Sequence, residues 1–115
     1  MRDFRKYKVW ELGHQVTLDM YRLSMEFPHE EIYGITGQMR RAAYSIPSNI
    51  AEGCGRESDA EFKRFLTISQ GSASELEYFT ILAKDLGYLA KSDFLFLNNN
   101  VNKTKRSLNS LIQKI

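Results

Sequence analysis

The chain has 115 residues, of which 43% are apolar and 26% charged, and this composition fits one folded domain spanning residues 1–115. Sixteen basic residues against fourteen acidic ones leave a net charge of only +2, which is too small to identify a nucleic-acid or membrane partner by itself. The single cysteine, Cys54, excludes an internal disulfide, and no apolar run approaches the ~20 residues of a membrane span, so we expect a cytoplasmic protein without membrane contact.

Apolar residues recur at helical spacing along the whole chain and predict four helices, at about 9–27, 36–52, 58–86 and 92–115. The first helix is expected to end before Pro28. The second is expected to run from a cap at Thr36 to a terminating glycine, Gly53. Pro47 lies inside it and predicts a kink, because proline removes one backbone hydrogen bond.

The third and fourth helices carry their own end signals. Ser58 followed by Glu61 is a capping-box pattern, and Gly87 stands where a terminating glycine is expected. Ser92 is the candidate cap of the fourth helix. Short connections between long amphipathic helices favour antiparallel neighbours, so the predicted fold is an all-α, antiparallel up-and-down four-helix bundle with a proline-kinked second helix.

Small residues cluster in the middle of the third helix, among them Ser69, Gly71 and Ala73. A mid-helix glycine costs about 1 kcal/mol relative to alanine, which indicates that another element approaches closely there. Two interpretations stay open for Ser69, Ala73 and the kink at Pro47. They serve tight packing inside the bundle, or they receive a helix from another subunit.

The sequence gives little support to an enzyme. Two Glu-x-x-His units, beginning at Glu11 and Glu26, resemble the unit of di-iron bundles, but they lie on one helix about 22 Å apart and cannot share a metal pair. Cys54 has no second cysteine and no histidine near it in sequence, so we interpret it as a small loop residue. We therefore expect no catalytic residues, no metal and no cofactor.

Basic residues are concentrated more strongly than the net charge suggests. Residues 94–115 contain four basic side chains and no acid, and residues 1–8 contain four basic side chains and one acid. These tracts are a solvated face or a phosphate-binding surface, which a symmetric oligomer would multiply. The candidate nucleic-acid-binding residues are Arg40, Arg41, Arg56, Lys103, Lys105 and Arg106. For the three arginines, pairing with Glu52, Glu75 or Glu77 inside the chain or at an interface is the alternative.

The segment from Tyr33 to Gly53 carries a specific string, in which Arg40-Arg41-Ala42 is followed by Ser45-Ile46-Pro47-Ser48-Asn49-Ile50-Ala51-Glu52-Gly53. With these residues the chain resembles the bacterial four-helix bundle proteins encoded by intervening sequences in large-subunit ribosomal RNA genes, also labelled S23 ribosomal protein-like. The resemblance covers nearly the whole chain. It implies a bundle that assembles into a homopentameric ring, and it implies no established biochemical role.

A related group, the accessory variability proteins of diversity-generating retroelements, is similar in forming a basic pentameric barrel that binds nucleic acid and a reverse transcriptase. This chain departs from that group in its near-neutral charge. Two hypotheses follow. The protein is a non-catalytic oligomeric bundle that binds structured RNA or DNA through basic surface residues, or it is an oligomeric scaffold for a protein partner without nucleic-acid binding.

Overall fold

The computed structural model describes residues 2–115, and over this range the chain is helical without strands. Four long helices follow one another, and two single turns of 3-10 helix, Phe4–Lys6 and His29–Glu31, precede the first and the second of them. The long helices are α1 (Lys8–Ser24), α2 (Ile35–Cys54), α3 (Asp59–Asp85) and α4 (Lys91–Gln113). The prediction of an all-α chain with four helices is confirmed.

The helices pack side by side around one elongated core, in a body of 43 × 24 × 19 Å. Each helix contacts two others, and the contact between α2 and α3 is the most extensive while that between α1 and α4 is the least. Burying one large apolar side chain contributes about 1.5 to 3 kcal/mol, so this core dominates the stability. Its largest fully buried members are Met20, Met39, Ile46, Ile50, Phe62, Leu66, Leu76, Leu97 and Leu108.

The ends of α3 follow the sequence signals. The Oγ of Ser58 accepts a hydrogen bond from the Glu61 N–H at 3.1 Å, which satisfies one free donor of the first turn. At the other end Gly87 has a φ of 82°, which a side chain would strain. The Tyr88 N–H donates to the Ala83 carbonyl at 2.9 Å, as in a Schellman ending. The predicted start at Ser58 and stop at Gly87 are confirmed.

Two other predicted helix signals are wrong. Gly34, not Thr36, precedes α2, and Thr36 lies buried inside the helix. Gly53 does not end α2, which continues through Cys54. A Cβ at Gly53 would lie 2.8 Å from the Cβ of Phe65, so this glycine allows α2 and α3 to approach closely.

The first and last helices also begin and end differently from the prediction. The first helix ends at Ser24 and not at residue 27, although Phe27 still contributes to the core. The fourth helix begins at Lys91, preceded by Ala90, so Ser92 lies within its first turn and does not cap it. Asp93 is in that first turn, where the helix dipole favours a negative charge.

Helix α2 continues through Pro47, which leaves the Ala43 carbonyl without the donor that an N–H at position 47 would supply. The hydroxyl of Thr17 on α1 lies 3.1 Å from this carbonyl oxygen and 2.8 Å from the carbonyl oxygen of Gly13. A Cβ at Gly13 would come within 2.9 Å of the Ile46 side chain. The glycine therefore lets α1 approach α2 closely enough for the hydroxyl to reach the proline-exposed carbonyl.

The small residues of α3 divide between the core and the surface. Ser69 and Ala73 are fully buried within the chain's own bundle, and the Ser69 hydroxyl donates to the Ile46 carbonyl at 2.9 Å. Gly71 is exposed, and a Cβ added there would meet no atom of residues 2–115 within 4 Å beyond its two chain neighbours and the nearby backbone of its own helix. Close packing inside the chain thus involves Ser69 and Ala73, whereas no helix packs so closely on Gly71, among residues 2–115, that a glycine is required there.

Candidate nucleic-acid interface

The basic side chains of α4 lie on two different faces. Lys103 and Arg106 of α4 and Lys114, which directly follows the helix, are exposed, and their spacing of three and eight residues places them on one side of the helix axis. None of the three has a carboxylate within 4.0 Å among residues 2–115. Lys105 lies on the face toward α3, where its Nζ is 2.8 Å from the Oε1 of Glu77. The charge of Lys105 is therefore compensated within the chain.

The ion pair with Lys105 affects the titration of Glu77. A hydrogen bond from the Lys105 ammonium, aided by the Asn102 amide, holds the pKa of the Glu77 carboxyl below its ordinary value despite the opposing effect of burial. Both side chains are about one quarter exposed, so the pair is partly desolvated. This contact joins α3 to α4 and leaves Lys105 poorly placed to contact an external phosphate.

The seam between α1 and α4 forms two shallow grooves with lysines at their edges. One has a volume of about 290 Å³ and is lined by Leu12, Gln15, Val16, Asp19, Phe96, Asn100 and Lys103. The other, of about 220 Å³, has Lys8 and Lys114 in its lining. Phe96 is 45% exposed, so an aromatic ring, an amide and an ammonium group are accessible in the same groove.

The predicted site residue Arg56 lies at the opposite corner, after α2. Its guanidinium stands 4.9 Å above the ring of Phe65 and borders a concavity of about 520 Å³ that Arg2 also lines. The neighbouring cations are compensated, because Arg2 pairs with Asp59 and Arg64 pairs with Glu61. This corner is therefore rich in charge but close to neutral.

Arg40 and Arg41 occupy the outer side of α2. The Nε of Arg40 donates to the Oγ of Ser24 at 2.8 Å, and its guanidinium stands 4.8 Å from the centre of the Tyr21 ring. The Nη2 of Arg41 donates to the Oε1 of Gln38 at 2.9 Å. Neither arginine touches a carboxylate among residues 2–115, and the same holds for Arg56.

The expected pairing of Arg40, Arg41 and Arg56 with Glu52, Glu75 or Glu77 is therefore wrong within the chain, where Glu77 binds Lys105 instead. Pairing across an interface between chains stays a prediction. The six candidate residues do not converge on one site. The structure adds Lys8 and Lys114 to the α4 side, and the absence of acids in residues 94–115 was the sequence signal for Lys114.

Groups with catalytic potential are few. Cys54 is not in a loop as expected, but lies in the last turn of α2 with 1% exposure, and burial raises the pKa of its thiol. Across residues 2–115 no three His, Cys, Asp or Glu side chains gather in a way that could hold a metal ion. Every helix in the same range is too short or too polar to span a bilayer.

Comparison with known proteins identifies the family. The chain belongs to the 23S rRNA-intervening sequence protein family, whose model matches residues 5–110. Its structure is similar to the crystal structure of a protein of unknown function from the S23 ribosomal protein family of Bacteroides thetaiotaomicron, with a TM-score of 0.84. The two chains are 24% identical over 90% of this chain and 97% of the other, a likeness that shows the fold. No curated protein matches the sequence. The family description names no catalytic activity.

Proposed function

We propose that the protein is a non-catalytic, cytoplasmic homo-oligomer, a pentamer as in the family resemblance, that binds structured RNA or DNA through the outer face of α4. The observation that carries the proposal is the set of three exposed cations, Lys103 and Arg106 on α4 and Lys114 directly after it, in a stretch that has no acid after Asp93. We also propose that the chain is related to the accessory variability proteins of diversity-generating retroelements and shares their nucleic-acid binding.

The proposed bundle is antiparallel and up-and-down, with a bend at Pro47. Two contacts between α1 and α2 support the antiparallel arrangement: Thr17 reaches Ala43, and Ser24, later in α1, reaches Arg40, earlier in α2. The Ala43 carbonyl, which lacks the N–H donor that residue 47 would otherwise supply within α2, supports the bend, because the proline ring also pushes against the carbonyl four residues before it.

The dimensions of the α4 face suit a nucleic-acid backbone. Lys103 and Lys114 are eleven residues apart, which is about 16 Å along a helix. This length corresponds to about five phosphates of one strand of a duplex. An oligomer would repeat the face once per subunit, so the local field would exceed the field expected from a net charge of +2 per chain.

The groove beside the basic face offers contacts of a second kind. Phe96 and Lys103 are seven residues apart and line the same groove together with Asn100. An exposed aromatic ring stacks on unpaired bases, and an amide hydrogen-bonds their edges. Because duplex bases are not available for stacking, this groove favours RNA with single-stranded loops or bulges over uniform duplex DNA.

A salt titration of binding tests the proposal. The protein is freed of nucleic acid, its subunit count is fixed by light scattering, and it is titrated against a labelled RNA hairpin and a DNA duplex of equal length. Binding through three phosphate contacts per subunit predicts a log–log salt slope of about −2 to −3. Lys103→Glu should weaken binding and make the salt slope less negative by about 1.

The matched control is Lys63→Glu, which makes the same charge change at an exposed lysine on α3. We expect this variant to bind almost as well as the parent protein. Absence of binding at low salt would refute the proposal, and so would equal weakening by the two substitutions, since the latter would indicate a general charge effect.

The second candidate function is that of an oligomeric scaffold for a protein partner. The observation that favours it is the set of exposed large apolar side chains away from α4, among them Leu18, Tyr21, Met25, Tyr44, Ile68 and Tyr78. Binding through such side chains should change little between low and high salt, which separates the two functions in the same titration.

A further inference from the structure

One outer surface of the bundle combines exposed apolar side chains with an immobilised cation. We call Leu18, Tyr21, Met25, Arg40 and Tyr44, on α1 and α2, the arginine surface. The four apolar members are 50%, 41%, 76% and 44% exposed, respectively. Tyrosine, methionine and arginine are the residue types enriched at protein interfaces. The composition of the arginine surface is therefore that of a contact surface.

Arg40 is held in one orientation within this surface. Its Nε donates to the Ser24 hydroxyl and its plane lies over the Tyr21 ring, so the side chain is fixed by two contacts on α1. Its two Nη groups have no carboxylate within 4.0 Å among residues 2–115. A guanidinium of this kind loses little entropy when it binds a carboxylate through both Nη groups.

A second surface, on α3, has the complementary character. We call Ile68, Gly71, Glu75 and Tyr78 the glutamate surface, since their spacing of three, four and three residues places them on one side of α3. Ile68 and Tyr78 are 40% and 58% exposed. Glu75 is exposed and pairs with no cation among residues 2–115.

Gly71 provides a second indication that the glutamate surface contacts another molecule. Beyond its two chain neighbours and the nearby backbone of its own helix, no atom of residues 2–115 lies within 4 Å of the position its Cβ would occupy, yet a glycine here costs about 1 kcal/mol relative to alanine. Its exposed backbone leaves space in which a large side chain from outside, such as a tyrosine, can pack against α3. The absence of an internal reason for the glycine is consistent with an external contact.

We propose that the arginine surface of one chain binds the glutamate surface of a second copy, with the Arg40 guanidinium on the Glu75 carboxylate. The complementarity supports a second copy as the partner, since each surface is apolar around one uncompensated charge and the two charges are opposite. The surfaces lie on different helices, so the contact is head-to-tail and builds a ring or an open chain. This inference rests on the oligomeric part of the proposed function and is independent of nucleic-acid binding.

Charge exchange at the two positions tests the contact. The subunit count is measured by light scattering and sedimentation for Arg40→Glu, for Glu75→Arg and for the chain carrying both substitutions. Each single substitution places two like charges opposite each other and should raise the dissociation constant of the oligomer at least about thirtyfold. The double variant restores opposite charges and should regain the oligomer.

Mixing the two single variants gives a further signature. A chain with Arg40→Glu carries an acidic side chain at the centre of both surfaces, and a chain with Glu75→Arg carries a basic side chain at both. Like chains therefore repel each other at the contact and unlike chains attract, so only alternating assemblies are compatible. Alternation closes rings with an even number of subunits only. We expect even-numbered or open assemblies from the mixture, whatever the subunit count of the parent ring.

The control is Arg106→Glu, an equal charge change outside both surfaces. It should leave the subunit count unchanged while weakening RNA binding, so the failure of assembly and the failure of binding are measured separately. A parent protein that is monomeric would overturn both the oligomer and this contact. An oligomer that survives Glu75→Arg, an exposed position where folding is not at risk, would overturn the contact alone.

Discussion

Replacement of Thr17 by valine removes the hydroxyl that lies 3.1 Å from the Ala43 carbonyl, with little change in side-chain volume. The N–H that would donate to this carbonyl in a regular helix is missing because residue 47 is a proline. Thr17 is 8% exposed, so water has little access to this contact. An unsatisfied buried acceptor costs about 1 to 3 kcal/mol, and we expect Thr17→Val to lower the free energy of unfolding by that amount.

A double-mutant cycle with Pro47 isolates the contact between the Thr17 hydroxyl and the Ala43 carbonyl. Pro47→Ala supplies the missing N–H, so the Ala43 carbonyl gains a donor within α2. In that background Thr17→Val should lose most of its effect, which gives a coupling of about 1 kcal/mol or more. Urea unfolding of the four proteins at one protein concentration measures this coupling, since the stability of the proposed oligomer would depend on concentration.

The Thr17 hydroxyl has one hydrogen and two acceptors, the other being the Gly13 carbonyl at 2.8 Å. If the hydrogen served only Gly13, Thr17→Val would have the same effect with and without Pro47. Equal effects in the two backgrounds would refute the assignment of the hydroxyl to the proline-exposed carbonyl.

Three further predictions follow from packing and titration. Gly53→Ala should lower the free energy of unfolding in urea by about 1 to 3 kcal/mol, although alanine has the better helix propensity, because the new Cβ would lie 2.8 Å from the Cβ of Phe65. A more stable variant would contradict this packing. The hydrogen bond from Lys105 lowers the pKa of Glu77 in the folded state, so the stabilisation from this pair is present above the ordinary pKa of 4.5 and is lost as the pH falls through the folded pKa. Glu77→Gln should therefore reduce the dependence of the free energy of unfolding on acidic pH. An unchanged pH profile would contradict the ion pair. Cys54 should react with a thiol reagent much more slowly in native buffer than in urea, and equal rates would contradict its burial.

The helices were predictable because their apolar spacing and some end signals are local. Ser58 and Gly87 act through hydrogen bonds within a few residues of their own positions, and both predictions hold. Gly53 has the same sequence appearance as a helix stop, but its role depends on Phe65, which lies on the next helix. A glycine that ends a helix and a glycine that admits a neighbouring helix cannot be distinguished without the tertiary contact.

The candidate site was less predictable for a similar reason. Lys103 and Lys105 are the same residue type in the same basic tract, but their separation of two residues places them on different sides of α4. Whether Lys105 meets an acid depends on the packing of α3 against α4, which brings Glu77 to it. Charge counting located the basic tract, whereas the division into compensated and uncompensated cations required the packed structure.

The hydroxyl contacts made by α2 also bear on the alignment of the bundle. Apolar helix faces are non-directional, so a helix that slides by one turn of 5.4 Å can keep much of its buried area. Two carbonyls of α2 accept hydrogen bonds from hydroxyls on the neighbouring helices. The Ala43 carbonyl accepts from Thr17 on α1, and the Ile46 carbonyl accepts from Ser69 on α3. A slide of either neighbour would remove its hydroxyl from its acceptor. Pro47, which weakens α2 as an isolated helix, thus helps to fix the register of α1 against α2, and the Ser69 contact does the same for α3.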